Sequence, residues 1–100
     1  MKIKKIIKAA NILFKYRKNK KRLDTLPVDC TPNTIDEAYL IQDELKIKYL
    51  TLKDNYLIGK KVGCTNKWAQ KQINVKEPFY GNLFSKYSSK SGCKLNANNF

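Results

Sequence analysis

The segment Tyr56-Leu57-Ile58-Gly59-Lys60-Lys61-Val62-Gly63-Cys64-Thr65 decides how the rest of this chain is read. Its apolar and β-branched residues, bounded by turn formers, predict a strand. Alternation then puts Ile58, Lys60, Val62 and Cys64 on one face and Leu57, Gly59, Lys61, Gly63 and Thr65 on the other. Lys61 thus stands between two glycines on a face with almost no side-chain bulk beside it. Glycine inside a strand weakens it, and it marks either close approach by a ligand or backbone, or a bulge or barrel bend beside a solvated lysine. On pattern alone both readings stand.

Upstream of this strand the periodicity is helical. Over residues 2–20, Ile3, Ile6, Ile7, Ala10, Leu13 and Phe14 fall in one arc, with Lys4, Lys8, Asn11, Lys15 and Lys18 opposite. Such an amphipathic helix is expected to pack on its own domain rather than lie on a membrane. A connector punctuated by Pro27 and Pro32 follows. Thr34-Ile35-Asp36-Glu37 then has the form of a capping box, Thr34 accepting from the Glu37 amide and Glu37 reaching back to Thr34. The second helix runs to about residue 51 with a stripe of Ala38, Ile41, Leu45 and Tyr49.

Downstream, Asn66 is placed to cap a short helix through Trp68, Ala69, Gln70 and Ile73, and Asn74 suits the left-handed residue that ends it. Glu77-Pro78-Phe79-Tyr80-Gly81-Asn82-Leu83-Phe84 is expected to form an aromatic turn, with Pro78 holding Glu77 extended. The remainder to Phe100 reads as polar connector with one strand around Lys94-Leu95. The fold class is α+β, with a helical region over 1–55 and the start of an α+β domain over 56–100.

Composition narrows the chemistry. The chain has 100 residues and no histidine, which removes the commonest general base and transition-metal ligand. Cys30, Cys64 and Cys93 are odd in number and form no CxxC pair, so neither a disulfide framework nor a zinc site is expected, and a reducing cytoplasm is. Lys8 and Asn11 interrupt the first apolar run too early for a signal peptide, and no run approaches a membrane span. The net charge is +13. Residues 1–22 carry ten cations and no acid, residues 23–58 three cations and seven acids, residues 59–100 eight cations and one acid. One reading is a small basic protein that binds nucleic acid or an anionic membrane. The other is biased coding, since 19 of the 21 cations are lysine beside ten Asn and nine Ile.

One set of residues goes further. Ala9-Ala10, Arg17, Leu26-Pro27, Pro32-x-Thr34, Asp36-Glu37-Ala38-Tyr39-Leu40-Ile41-Gln42, Gly59-Lys60-Lys61-Val62-Gly63-Cys64-Thr65, Gln70, Val75-Lys76-Glu77-Pro78-Phe79-Tyr80-Gly81 and Leu83-Phe84 occur in that order. From about residue 9 to residue 100 this resembles the amino-terminal part of the 2-keto-4-pentenoate hydratases and the related 2-oxo-hept-3-ene-1,7-dioate hydratases. These form the hydratase/decarboxylase branch of the fumarylacetoacetate hydrolase superfamily. The elements (D/E)AYxIQ, GxKxGxT and EPxxG carry the likeness.

The resemblance implies a cytoplasmic lyase of aromatic-compound catabolism that uses Mg²⁺ or Mn²⁺ to hydrate a 2-hydroxy-2,4-dienoate to a 4-hydroxy-2-oxo acid, in a homo-oligomer. It maps the family's strand lysine onto Lys61, for substrate binding or proton transfer, with Thr65, Glu77 and Phe79 as pocket candidates. Many hydratases have Asp where this chain has Phe79, which leaves decarboxylation of a 2-oxo acid as the alternative. The family's metal carboxylates, in a PRxExE motif plus a further Glu, correspond to positions just beyond Asn98-Asn99-Phe100. The expectation is therefore an amino-terminal portion of such an enzyme, a truncated frame, split gene or remnant acting with a full-length paralogue. It would bind no metal and be inactive alone. Its implied partner is the small acid, not nucleic acid or membrane.

Overall fold

In the computed structural model the elements follow in the order α1 (Ile3–Lys18), α2 (Ile35–Leu50), β1 (Leu57–Gly63), α3 (Lys67–Gln72) and β2 (Phe79–Phe84), with short 3₁₀ turns at Val28–Cys30, Ser85–Tyr87 and Ala97–Asn99. The structure describes residues 1–99. Phe100, where the family resemblance ends, lies outside the described residues. The chain is α+β and divides into two units. One comprises Met1–Lys53 with the described residues from Lys90 onward, the other Asp54–Ser89.

The first unit is built on α1 and α2. Ile6, Ala9, Ala10, Cys30 and Ile41 form its buried core, with Ile12, Leu13, Leu26 and Leu45 packed around them. The arc on α1 is rotated from the expected one. Ala9 is fully buried, whereas Ile3 is 60% and Ile7 38% exposed, and Ala38 on α2 is also exposed. The reason is the connector, whose Val28–Cys30 turn packs on α1 and brings the Cys30 side chain into the core. Two adjacent alanines allow that close approach, and the covered side of α1 turns away from Ile3 and Ile7. Farther along, Phe14 meets Tyr49 edge to face, with ring centroids 5.2 Å apart.

The helix ends follow their local chemistry. Thr34 Oγ1 accepts from the Glu37 amide at 3.1 Å, as the capping box requires. Glu37 reaches one residue farther back than expected, accepting from the Asn33 amide at 3.0 Å. Its other oxygen lies 3.1 Å from the Met1 amino group. The amino group and the Asn33 amide hold the Glu37 carboxyl below the usual glutamate range. At the end of α1, Lys20 adopts φ 56°. The Lys21 amide then reaches the Tyr16 carbonyl and the Lys20 amide that of Arg17, a Schellman closure made without glycine. The Lys20 ammonium donates to the Asn98 carbonyl, and no strand forms around Lys94-Leu95. Gln42 Nε2 is buried without a partner among the described residues.

In the second unit the expected aromatic turn is a strand. β2 pairs antiparallel with β1 in the register Leu57↔Phe84, Gly59↔Leu83, Lys60↔Asn82, Lys61↔Gly81, Val62↔Tyr80 and Gly63↔Phe79. The alternation Phe79, Gly81, Leu83 against Tyr80, Asn82, Phe84 supports this pairing, with Pro78 at the strand's entrance where no ladder donor is needed. Between the strands, Asn66 Oδ1 accepts from the Ala69 amide at 2.8 Å and starts α3. Asn74 at φ 56° ends it, with bonds from Val75 to Gln70 and from Asn74 to Lys71. Buried Asn55 accepts from the Lys86 amide at 3.0 Å and so ties the segment leaving β2 to the one entering β1.

Candidate functional site

In an antiparallel pair, directly opposed residues share a face. The register therefore gathers Gly59, Lys61 and Gly63 of β1 with Leu83, Gly81 and Phe79 of β2. Lys61 has a glycine on either side along its own strand and a third directly across. Its side chain is exposed and makes no hydrogen bond or ion pair among the described residues. Phe79 and Leu83 stand at the two ends of this open strip.

The three glycines are not required by the backbone, since none has a positive φ. Nor are they demanded by crowding. A Cβ at Gly81 would meet nothing within 4 Å, one at Gly59 would lie 4.0 Å from Leu83, and one at Gly63 would touch the Phe79 ring at 3.4 Å, an ordinary contact. The fold would accept alanine at all three. The strip around Lys61 is left open at a cost of roughly 0.5–1 kcal/mol per glycine relative to alanine.

The opposite face is occupied differently. Lys60 Nζ lies 4.4 Å from the centroid of the Tyr80 ring, a cation–π contact. Two consecutive lysines thus differ by strand alternation alone. Lys60 rests on an aromatic ring, and Lys61 projects over glycine.

Two expectations about this strand need correction. A bulge at Ile58 puts Leu57 opposite Phe84 and Gly59 opposite Leu83, so Leu57 moves to the Lys60 face. β1 also ends at Gly63, because Cys64 takes the left-handed conformation at φ 52° and its carbonyl is bonded by Gln70 Nε2 at 3.0 Å. Cys64 and Thr65 therefore drop out of the alternation, and Thr65 is not on the Lys61 strip as the pattern had it. Glu77 is exposed in the segment before β2. Of the four residues singled out from the sequence, the fold brings Lys61 and Phe79 onto one face and leaves Thr65 and Glu77 beyond the strand ends. Gly81 and Leu83 were missed as members. Their signal was the two-residue spacing Phe79-x-Gly81-x-Leu83, hidden when the segment is taken as a turn.

Among the described residues no three of His, Cys, Asp and Glu come together in a group able to hold a metal ion. The side chains on the strip are a cation, an aromatic ring and an aliphatic group, which do not suit a hard divalent cation. No family model matches the chain, and no curated protein matches it. Among the described residues no helix is long and apolar enough to cross a membrane.

Proposed function

We propose that the Lys61 strip binds the carboxylate of a small 2-oxo or 2-hydroxydienoic acid, and that the chain forms one wall of the active site of a lyase of the 2-keto-4-pentenoate hydratase kind. The observation that carries the reading is an unpaired lysine among three glycines that neither backbone conformation nor packing requires. Open space beside a cation is what a bound anion needs. The sequence likeness supplies the substrate class.

The ammonium of Lys61 is a compact cation with three donors, suited to a carboxylate or to negative charge developing on a 2-oxo oxygen. Phe79 and Leu83 give the strip apolar ends against which the hydrocarbon part of such an acid packs. Lys61 is the one titratable side chain among the six residues of the strip. The strip therefore holds charge and offers a single proton-transfer group at the Lys61 Nζ. Because Phe79 brings no carboxylate, decarboxylation of a 2-oxo acid fits the same strip as the alternative. Loss of carbon dioxide needs charge stabilisation and no base to activate water.

The test is a titration of the full chain with pyruvate as the 2-oxo acid, followed by amide chemical shifts. Saturable shifts are expected at Gly59–Gly63 and Phe79–Leu83, with propionate binding more weakly. A charge-assisted contact contributes about 1.5–3 kcal/mol, so Lys61→Met should raise Kd roughly 10- to 100-fold. Shifts of equal size in Lys61→Met, or none in the unaltered chain, would overturn the reading.

A further inference from the structure

We infer that α1 is also a docking surface for an anionic lipid bilayer, on the side that α2 leaves uncovered. Residues 1–22 hold ten cations and no acid. At helical spacing Lys4, Lys8, Lys15 and Lys18 lie in one row with Asn11 among them, opposite the buried Ile6, Ala9 and Ala10. Lys8 donates to Asp29 at 2.8 Å, while Lys4, Lys15 and Lys18 have no ion-pair partner among the described residues. All four lysines are exposed.

Charge by itself does not choose between polyanions. The apolar residues beside the row do. Ile3 and Ile7 are one turn apart at 60% and 38% exposed, and Ile7 sits three residues from Lys4 and four from Asn11. Neither isoleucine belongs to the core. A border of exposed aliphatic side chains along a lysine row fits a bilayer surface, where isoleucine enters the acyl boundary and lysine reaches up to the headgroups.

A nucleic acid offers the aliphatic residues nothing comparable. Base and phosphate recognition also favours the planar guanidinium, and only two of the ten cations of this segment are arginines. The partner inferred is therefore a lipid surface, which departs from the sequence expectation of none. The buried face of α1 stays on α2, so docking does not require the unit to open.

The experiment is co-sedimentation of the full chain with vesicles of phosphatidylcholine, with and without phosphatidylglycerol. Binding is expected only with phosphatidylglycerol and should weaken as salt rises. Each lysine near an anionic surface contributes about fivefold in partitioning, so Lys4→Gln/Lys15→Gln/Lys18→Gln should bind roughly 100-fold more weakly. Ile3→Gln/Ile7→Gln should lower vesicle binding and leave any binding to duplex DNA unchanged. Circular dichroism matching the unaltered chain establishes that these surface variants fold. Equal binding to both vesicle types, no binding at low salt, vesicle binding indifferent to the isoleucine change, or tighter binding to duplex than to vesicles would each overturn the inference.

Discussion

Gly81→Val separates the proposed role of the Lys61 strip from ordinary strand stability. Gly81 lies directly across from Lys61, its φ is not positive, and nothing lies within 4 Å of where a Cβ would sit. Valine therefore enters without strain. It removes the conformational freedom that glycine gives the unfolded chain and suits a pleated surface, each contributing about 0.5–1 kcal/mol. For a chain of this length 1 kcal/mol corresponds to about 4–8 °C in Tm, so Gly81→Val should melt several degrees higher. Its effect on the ligand runs the other way. Directly opposed Cβ atoms are about 4.5–5.5 Å apart, so two new methyl groups take the volume beside the Lys61 stem that an anion would enter. Much of a contact of about 1.5–3 kcal/mol is then lost, and Kd for the 2-oxo acid should rise about tenfold or more. Thermal melting and amide-shift titration on the same sample measure both. Unchanged Kd with raised Tm would refute the idea that the strip is kept open for a ligand, and a lowered Tm would refute the assignment of free space at Gly81.

The remaining predictions concern the frame around the strip and the helical unit. Thr34→Ala should cost about 1 kcal/mol in denaturant unfolding of the helical unit, because the Glu37 amide loses its capping acceptor. Glu37 has its folded pKa held below the ordinary glutamate value of about 4.3, so the stability it contributes is present above that value and is lost as pH falls through the folded one. Thermal melting from neutral to acidic pH should show this loss, and Glu37→Gln should flatten it. Lys60→Met should lower stability by about 0.5–1 kcal/mol through the lost contact with Tyr80 while leaving the acid's Kd unchanged, in contrast to Lys61→Met. Of the three free thiols, Cys93 is exposed and Cys30 buried, so a thiol reagent should modify Cys93 rapidly and Cys30 only after unfolding, as peptide mapping would show.

Much of the local structure was legible in the residues. Thr34, Asn66 and Asn74 act at the ends of helices where their side chains and backbone preferences place them, because capping depends on neighbours within a few positions. The vacant surface beside Lys61 was legible for the same reason, since alternation relates Gly59, Lys61 and Gly63 without reference to the rest of the fold. Where the reading failed, a distant partner had intervened. Ile3 and Ile7 fit an apolar arc, yet the turn that carries Cys30 claimed the Ala9 side of α1. Glu77 to Phe84 had the composition of a turn, and only β1 beside it makes Phe79–Phe84 a strand.

For this protein, then, the sequence by itself determined the helices, the caps at Thr34, Asn66 and Asn74, the strand that carries Lys61 and the two glycines flanking it. The tertiary structure alone decided that Gly81 stands across from Lys61 and that Phe79 and Leu83 close the ends of the strip. It also decided that Leu57 and Thr65 leave that face. The physical reason is register. A bulge at Ile58 and a left-handed Cys64 each shift which side of the sheet a residue occupies, and a one-residue slip reverses every face beyond it.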